Sequence, residues 1–545
     1  MAETMKKPPL ASSEMMRAAE EKKEKMLALY GENKTINDGN YDKSLAVKCV
    51  NGTFVGKRED GALVYRGIPF VGEQPVGADL RWKPPVDYIA DDGVYEAYYN
   101  GKCIPQPKGG GEIGDSFVQG EDGLYLNIWK ADEASGQKKP VMVWIHGGGF
   151  MGGGTVDPLY QCDTLIRENP DIIFVTIAYR LGGLGFLYLS HLPDGAEYDN
   201  AGNMGLLDQL QALKWIHENI AGFGGDPDNV TIFGESAGAS SVSLLPLIKG
   251  SHDYIKRVIA QSGSSVLSRT TEQAIAATNQ VMGMLGCKTV AELRKVPLDR
   301  LLETCIVLGM RNIGPVRDGK LLPEDVYKAY ADGTAADIEI MQGCNKDEFY
   351  YFLHMTGRDS FIPWIAGMKE DKLAQMTEED RKLAESFCAN IKGDVFEPAC
   401  RFMDQVWFNA PLIRQSEMQA KAGGKSFTYY FTSESPDQTL KCGHAVELSV
   451  VFGKPEVGKE EHGMEVDETF AKTLRKMWTQ FARTGDPSLS VDISPDGKSH
   501  AWPPYDPENM YVMVFDEADI HTVREPEVGI VDRERTYPLT RYLAL

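Results

Sequence analysis

Cysteine is scarce and unpatterned in this chain: nine residues in 545, an odd number with no C-x-x-C pair. Neither a zinc knuckle nor a regular disulfide ladder is therefore indicated. Long apolar runs are missing too. The longest, such as 172–178, are the size of a strand, far short of the ~18 residues that a membrane span needs. Positive charge is in deficit, with Lys+Arg 57 against Asp+Glu 79 and a net charge of −22. That balance argues against nucleic acid or an anionic membrane as partner and implies a field mildly unfavourable to anionic substrates. The first 26 residues contain no apolar core of signal-peptide type. The expectation from these absences is a cytoplasmic protein without a membrane span, acting on a small molecule.

What is present suits a large core: 42% hydrophobic and 10% aromatic residues, ordinary values for a globular protein. Length alone would suggest three or four domains of ~150 residues. Candidate catalytic parts nevertheless run from Gly148 to His444, which favours one domain with insertions. Residues 1–42 read as an N-terminal extension, a disordered start followed by a helix from Ser12 or Ser13 to Tyr30 that docks Met15, Met26, Leu27 and Tyr30. Residues 43–545 read as a single domain whose insertions lie mainly within 265–425. Short strands are expected at Lys48–Gly52, Ala62–Tyr65, Pro140–Ile145, Asp171–Tyr179, Arg257–Gln261, Ile338–Gly343 and Phe427–Phe431, with a helix over Gly205–Ala221. The stretch 65–85 is too rich in Pro and Gly for regular structure. Alternating strands and helices imply an α/β fold with a mostly parallel sheet.

The stretch Asn229–Ser241, NVTIFGESAGASS, organises the rest. Val230–Phe233 suits a buried strand, and Gly234-Glu235-Ser236-Ala237-Gly238 then reads G-x-S-x-G before a run of small helix-compatible residues. A serine hydroxyl is a poor nucleophile unless held against a base, and a sharp strand-to-helix turn pushes it out above a sheet. Ala237 opens the helix, so its N–H points at a developing oxyanion. Alone, the motif is also compatible with an ordinary Gly-rich turn. A second feature discriminates: His146-Gly147-Gly148-Gly149-Phe150 follows a buried strand directly, and its glycines leave backbone N–H groups unobstructed.

Several further stretches resemble the type-B carboxylesterase/cholinesterase family of α/β hydrolases. They are R-G-I-P-F (66–70), P-V-G-x-x-L-R-W (75–82), Glu121-Asp-Gly-Leu-Tyr-Leu-Asn127 and Lys441-Cys-Gly-His444-Ala-Val-Glu-Leu-Ser-Val-Val-Phe-Gly453. The resemblance spans nearly the whole chain from Val47. It implies an α/β-hydrolase fold: a large, mostly parallel central sheet flanked by helices, with helical cap insertions. It also implies that Gly148 and Gly149 join Ala237 in an oxyanion hole, and that Arg66 and Glu121 form a buried ion pair.

Chain order in this fold is Ser…Asp/Glu…His. That removes His146, His191 and His217, and His252 follows the serine too soon. His354, His462, His500 and His521 stand beside His444, with His462 and His500 in solvated polar loops; the family pattern selects His444. Asn345-Lys-Asp347-Glu348 offers two carboxylates between which spacing cannot choose, and the family's N-K-D-E selects Glu348. Glu235 is expected to point away into a buried polar network. Ser262 is expected to hydrogen-bond behind the triad.

The implied activity is hydrolysis of carboxylic esters through an acyl-enzyme, with no metal or cofactor required. A lipid-ester hydrolase on the same site and a catalytically silent interaction protein of the same fold are the alternatives. Two family disulfides have no partner here, because the positions facing Cys103 and Cys287 are Gly123 and one near Glu292. Where the family often has a Pro-rich run with a tryptophan lining the acyl pocket, this chain has Ser265-Val-Leu-Ser-Arg269, so the acyl side is expected to be roomier or more polar.

Overall fold

Short runs of β-branched and aromatic residues, each bounded by Gly, Asp or Asn, pair laterally in the computed structural model, which describes residues 23–89, 93–108, 116–132, 136–308 and 312–542. Among the described residues, eleven strands form one sheet. In chain order they are β1 (Lys57–Glu59), β2 (Ala62–Pro69), β3 (Tyr125–Ala131), β4 (Lys139–Ile145), β5 (Ile173–Ile177) and β6 (Gly225–Glu235). Next come β7 (Arg257–Gln261), β8 (Glu339–Asn345), β9 (Ser426–Phe431), β10 (Tyr511–Asp516) and β11 (Asp519–Arg524). Their order across the sheet is β11-β10-β9-β8-β7-β6-β4-β5-β3-β2-β1. Neighbours from β10 through to β5 are parallel. Both edges are closed by antiparallel pairings. The large, mostly parallel sheet flanked by helices is the architecture expected.

A parallel strand covered on both faces reads as a continuous apolar run rather than an alternation. In β4, Val141, Val143 and Ile145 enter the core on one face while Met142 and Trp144 enter the core on the other. Helix α1 (Met204–Asn219) covers the first face with Leu206, Leu213, Trp215 and Ile216. Helix α2 (Ala237–Leu244) joins it there. Helix α3 (Glu468–Thr484) covers the second face with Phe470, Leu474, Met477, Trp478 and Phe481. Asp467 caps α3 by accepting the Thr469 and Phe470 N–H groups, and Gly485 ends it in the left-handed conformation. Burying each large side chain of this kind contributes about 1.5–3 kcal/mol. Between β7 and β9 the chain is mostly helical, and Phe361, Ile365, Phe396, Phe402, Val406 and Leu412 form a separate core there.

The strand order places the site. After β4 the chain moves to β5 on one side and returns across to β6 on the other. Such a reversal leaves a crevice at the carboxyl ends of the strands. The loops leaving β4, β6, β7, β8 and β9 all open at that end.

Several expectations are corrected. Lys48–Gly52 is not one strand but the bend of a hairpin, Ala46–Cys49 pairing with Gly52–Val55. The stretch after Tyr65 is regular: β2 runs on to Pro69 because its edge register shifts between Tyr65 and Ile68, which accommodates Gly67. Arg66 pairs with Glu59 at 2.7 Å, whereas Glu121 is gripped by both ends of the Arg81 guanidinium at 2.7 and 2.8 Å. His500 is buried, with Nε2 2.9 Å from Asp496. Of the N-terminal helix, 23–28 is helical and Met15 lies outside the described residues. Met26 is buried against Cys103, Phe117 and Val156, while Leu27 is exposed. All nine cysteines are free thiols. A Cβ on Gly123 would lie 3.0 Å from the Cys103 carbonyl carbon, so the two positions are neighbours without a bond.

Candidate active site

The elbow is built by close approach of β4, β6 and α2. Ser236 stands between β6 and α2 at φ 57°, ψ −118°, a sparsely populated conformation for a residue with a Cβ. The turn is held because the Ser236 N–H donates to the Gln261 carbonyl at 2.9 Å and its own carbonyl accepts from Ser240 N–H at 2.9 Å. A Cβ on Gly238 would lie 2.0 Å from the Ile145 carbonyl oxygen, and one on Gly234 2.7 Å from it, so both positions require glycine. The Ala237 N–H opens α2, where no earlier turn supplies an acceptor.

The glycine loop leaves β4 beside this serine. A Cβ on Gly147 would come within 3.3 Å of Ser236 Cβ and 2.9 Å of Glu235 Oε2. Gly148 and Gly149 take φ 99° and 62°. The loop is fixed from outside: Gln106 exchanges two 2.9 Å hydrogen bonds with Gly153, Gly182 N–H donates to Phe150 at 2.7 Å, and Tyr179 Oη donates to the His146 carbonyl at 2.8 Å. The His146 imidazole stacks on Tyr179, with ring centroids 4.6 Å apart. Burial drives its pKa down to about 4, so this histidine is neutral and structural.

Base and acid arrive on two loops zipped together. His444 N–H donates to the Glu348 carbonyl at 3.1 Å, and Asp347 N–H to the Cys442 carbonyl at 2.9 Å. Glu348 Oε2 is 2.6 Å from His444 Nδ1, and Oε1 accepts the Asn345 N–H at 2.8 Å. Asp347 instead meets Arg401, which also holds Asp404 at 3.2 Å. Glu348 is therefore the carboxylate brought to the imidazole. Phe408, at a ring distance of 5.0 Å, and Phe352 and Tyr351 at 6.1 and 6.0 Å wall off His444. Phe408 sits on a π-helical turn, Gln405–Asn409, a distortion that often marks functional sites.

Glu235 does not point away from the histidine. His444 Nε2 lies 2.9 Å from Glu235 Oε1; this is a close charge contact rather than an aligned hydrogen bond. The reason is topological: His444 returns over the end of β6, and position 235 is the last residue of that strand. No hydrogen bond joins His444 to Ser236 among the described residues. Glu447, three residues after the histidine, accepts from Asn345 Nδ2 at 2.6 Å and Gln261 Nε2 at 3.0 Å. Burial, with the charge of Glu235 next, pushes its pKa up to about 7. Burial likewise raises Glu235. Burial alone would lower His444, but the contacts with Glu235 and Glu348 outweigh it and hold the imidazole well above the usual histidine range. Ser262 is fully buried beside this group, and its hydroxyl makes no hydrogen bond among the described residues.

The chain matches the carboxylesterase family model over residues 43–529. It is 32% identical over 506 residues to a para-nitrobenzyl esterase from Bacillus subtilis, covering 89% of this chain and 97% of that protein. It is also 32% identical over 503 residues to a liver carboxylesterase from Sus scrofa, covering 83% and 85%. A crystal structure of a Geobacillus stearothermophilus carboxylesterase superposes with a TM-score of 0.77 at 33% identity, over 89% of this chain and 99% of that one. With nearly its full length matched by a family model, by relatives and by solved structures, the chain belongs to the carboxylesterase family.

Proposed function

We propose that this carboxylic ester hydrolase works through Ser236 as nucleophile, His444 as general base and Glu348 as the acid that orients the imidazole. The observation that carries the reading is the 2.6 Å contact between Glu348 Oε2 and His444 Nδ1, above an elbow that exposes Ser236 in a strained turn. Ser236 directly follows Glu235, and the reading requires the ring to turn so that Nε2 leaves the carboxylate for the hydroxyl. Neutral His444 then takes the Ser236 proton as Oγ attacks the ester carbonyl. The N–H groups of Gly148, Gly149 and Ala237 hold the oxyanion, each worth about 10²–10³ in rate. His444 returns the proton to the leaving alkoxide, and water repeats the cycle on the acyl-enzyme. Ser262 packs behind the triad. The nine free thiols support a reducing compartment, the cytoplasm, as the site of action. Among the described residues no helix is long and apolar enough to cross a membrane.

Substrates with aromatic alcohols are supported by the relative's name, para-nitrobenzyl esterase. The purified protein is expected to hydrolyse 4-nitrophenyl acyl esters and to be inactivated by a serine-directed organophosphate. Mass spectrometry should place the phosphoryl adduct on Ser236, and an adduct on any other serine overturns the assignment.

The Glu235 contact has a measurable consequence. The base must be neutral to act, and the adjacent carboxylate stabilises its protonated form. Removing that charge lowers the His444 pKa and extends activity toward acid. In Glu235→Gln the acidic limb of the kcat/KM–pH profile is expected to move to lower pH. An unmoved or upward-shifted limb counts against the contact.

A further inference from the structure

One short helix holds both loops that carry the acid and the base. In Glu397–Asp404 the charged residues Glu397, Arg401 and Asp404 fall at i, i+4 and i+7, a spacing that puts them on one face. That face meets the acid loop on either side of Glu348. On the N-terminal side, Arg401 donates to the Lys346 carbonyl at 3.1 Å and pairs with the Asp347 carboxylate. On the C-terminal side, the Phe349 N–H donates to Asp404 Oδ1 at 2.9 Å. Arg401 and Asp404 are joined to each other at 3.2 Å. The backbone around Glu348 is therefore gripped from both directions by one connected pair.

The same face reaches the base loop. Lys441 Nζ donates to Tyr350 Oη at 2.7 Å, Tyr350 Oη donates to Glu397, and Lys441 stands 3.5 Å from Glu397. Past Asp404 the chain runs straight into the π-helical turn Gln405–Asn409, which sets Phe408 against the imidazole. Asp404 itself is 2% exposed, and Arg401, Asp347 and Glu348 are the charged groups that face it. Burial acts most strongly and pushes its carboxyl up to about 7, with the Arg401 charge and the Phe349 N–H pulling the other way. An acid at this depth is costly, and the two partners that offset the cost are the two arms of the grip on the loop.

The geometry points to Arg401 and Asp404 as positioning residues for ester hydrolysis, which fix the Glu348 carboxylate against His444 Nδ1 and act through Glu348 rather than on substrate. This rests on the Ser236–His444–Glu348 reading above. The 2.6 Å contact of Glu348 with Nδ1 both selects the tautomer of the base and stabilises the imidazolium. Displacing a positioned group by about 1 Å can cost about 10²-fold in rate, so the grip on residues 346–349 is part of what sets kcat.

The test uses 4-nitrophenyl butyrate and three variants beside Glu348→Gln. Asp404→Leu keeps the branching of the side chain but offers the Phe349 N–H no acceptor. Its kcat is expected to fall by about 10–100-fold, with KM changed by less than about threefold. Asp404→Asn, equally uncharged, keeps an oxygen for that N–H and is expected to recover about tenfold of the loss. Both variants lack the charge, so the difference between them isolates the hydrogen bond. The acidic limb of the kcat/KM–pH profile supplies a readout that a merely structural role leaves in place. Glu348 helps to hold the His444 pKa up, so a displaced Glu348 moves the limb to lower pH in the Leu variant than in the Asn variant. Arg401→Lys keeps the charge without the fork and cannot hold the Lys346 carbonyl and its carboxylates at once. It is expected to lower kcat by about 3–10-fold, and it decides the matter where Asp404→Leu does not fold. Equal kcat and equal acidic limbs in the two Asp404 variants, or wild-type kcat in Arg401→Lys, overturns the inference. With Glu348→Gln inactive, such a result leaves the triad standing and removes only the positioning roles. Retention of kcat by Glu348→Gln removes the Glu348 reading, and this inference with it.

Discussion

Ser236→Ala is expected to lower kcat for a 4-nitrophenyl ester by about 10⁶, the scale on which a serine hydrolase loses its covalent route. Stability should hardly change. The hydroxyl caps no N–H of α2, and alanine meets the same backbone penalty at φ 57° that serine does. A melting temperature within about 2 °C of wild type is the expected companion result. Ser236→Gly makes the complementary point. It removes the same nucleophile but relieves the penalty, because glycine populates positive φ freely. It is expected to match alanine in lost activity and to melt higher. Stability gained with function lost would mean that the elbow's strain is maintained for catalysis. Equal melting of all three proteins would mean that the surrounding contacts, not the local conformer, set the turn.

How much of this was legible beforehand depended on the range of the interaction involved. The elbow, the glycine loop and β7 are local: a few consecutive residues define each, and Arg257–Gln261 has the bounds expected. Expectation and structure part where a partner from elsewhere decides. Residues 66–69 look unfit for a strand on composition, yet pairing with β3 keeps them extended. Nothing local marks the terminal hairpin β10–β11: charged residues flank YVMVFD, and only the edge of the sheet makes those positions acceptable. His500 looks solvated among Lys498 and Ser499, but the isolated pairing of Leu489 with His500 draws it inside.

Charge depends most on remote partners. Glu235, Glu348 and Glu447 are remote in sequence: the family pattern selects Glu348, but nothing local turns Glu235 toward the imidazole or brings Glu447 to Asn345 and Gln261. All three are buried around one imidazole, where burial penalises the charged form and the neighbours repel one another. The spacing His444-x-x-Glu447 was a usable signal, since it fixes both residues on one turn. Arg81 was hidden for a similar reason: it and Arg66 both precede the Glu121 stretch, and only their three-dimensional reach distinguishes them.

That same ambiguity, two neighbouring carboxylates and one histidine, sets the sharpest remaining test. Glu348→Gln is expected to lower kcat by about 10⁴, as losing the orienting acid does in related triads. A glutamine offers Nδ1 either a carbonyl or an amide N–H. The amide favours the tautomer with its proton on Nε2, which cannot accept from Ser236, and neither group stabilises the imidazolium. The protein should stay folded, because Gln keeps the shape and its carbonyl can still accept the Asn345 N–H that Glu348 Oε1 accepts. Asp347→Asn should behave in the opposite way. Asp347 is 1% exposed and pairs with Arg401, which keeps Asp404 at 3.2 Å and Glu397 at 3.4 Å when the Asp347 charge is removed. Breaking a buried pair costs about 3–5 kcal/mol when the partner is left unpaired; with two carboxylates still on a quarter-exposed Arg401, the expected loss is smaller, about 1–2 kcal/mol. Midpoints of denaturant unfolding should therefore fall for Asp347→Asn while kcat of the folded fraction stays within about tenfold. If instead Glu348→Gln retains most of its kcat and Asp347→Asn loses it, the loop presents the other carboxylate to His444 during turnover, and the resting contact at 2.6 Å is not the one that supports catalysis.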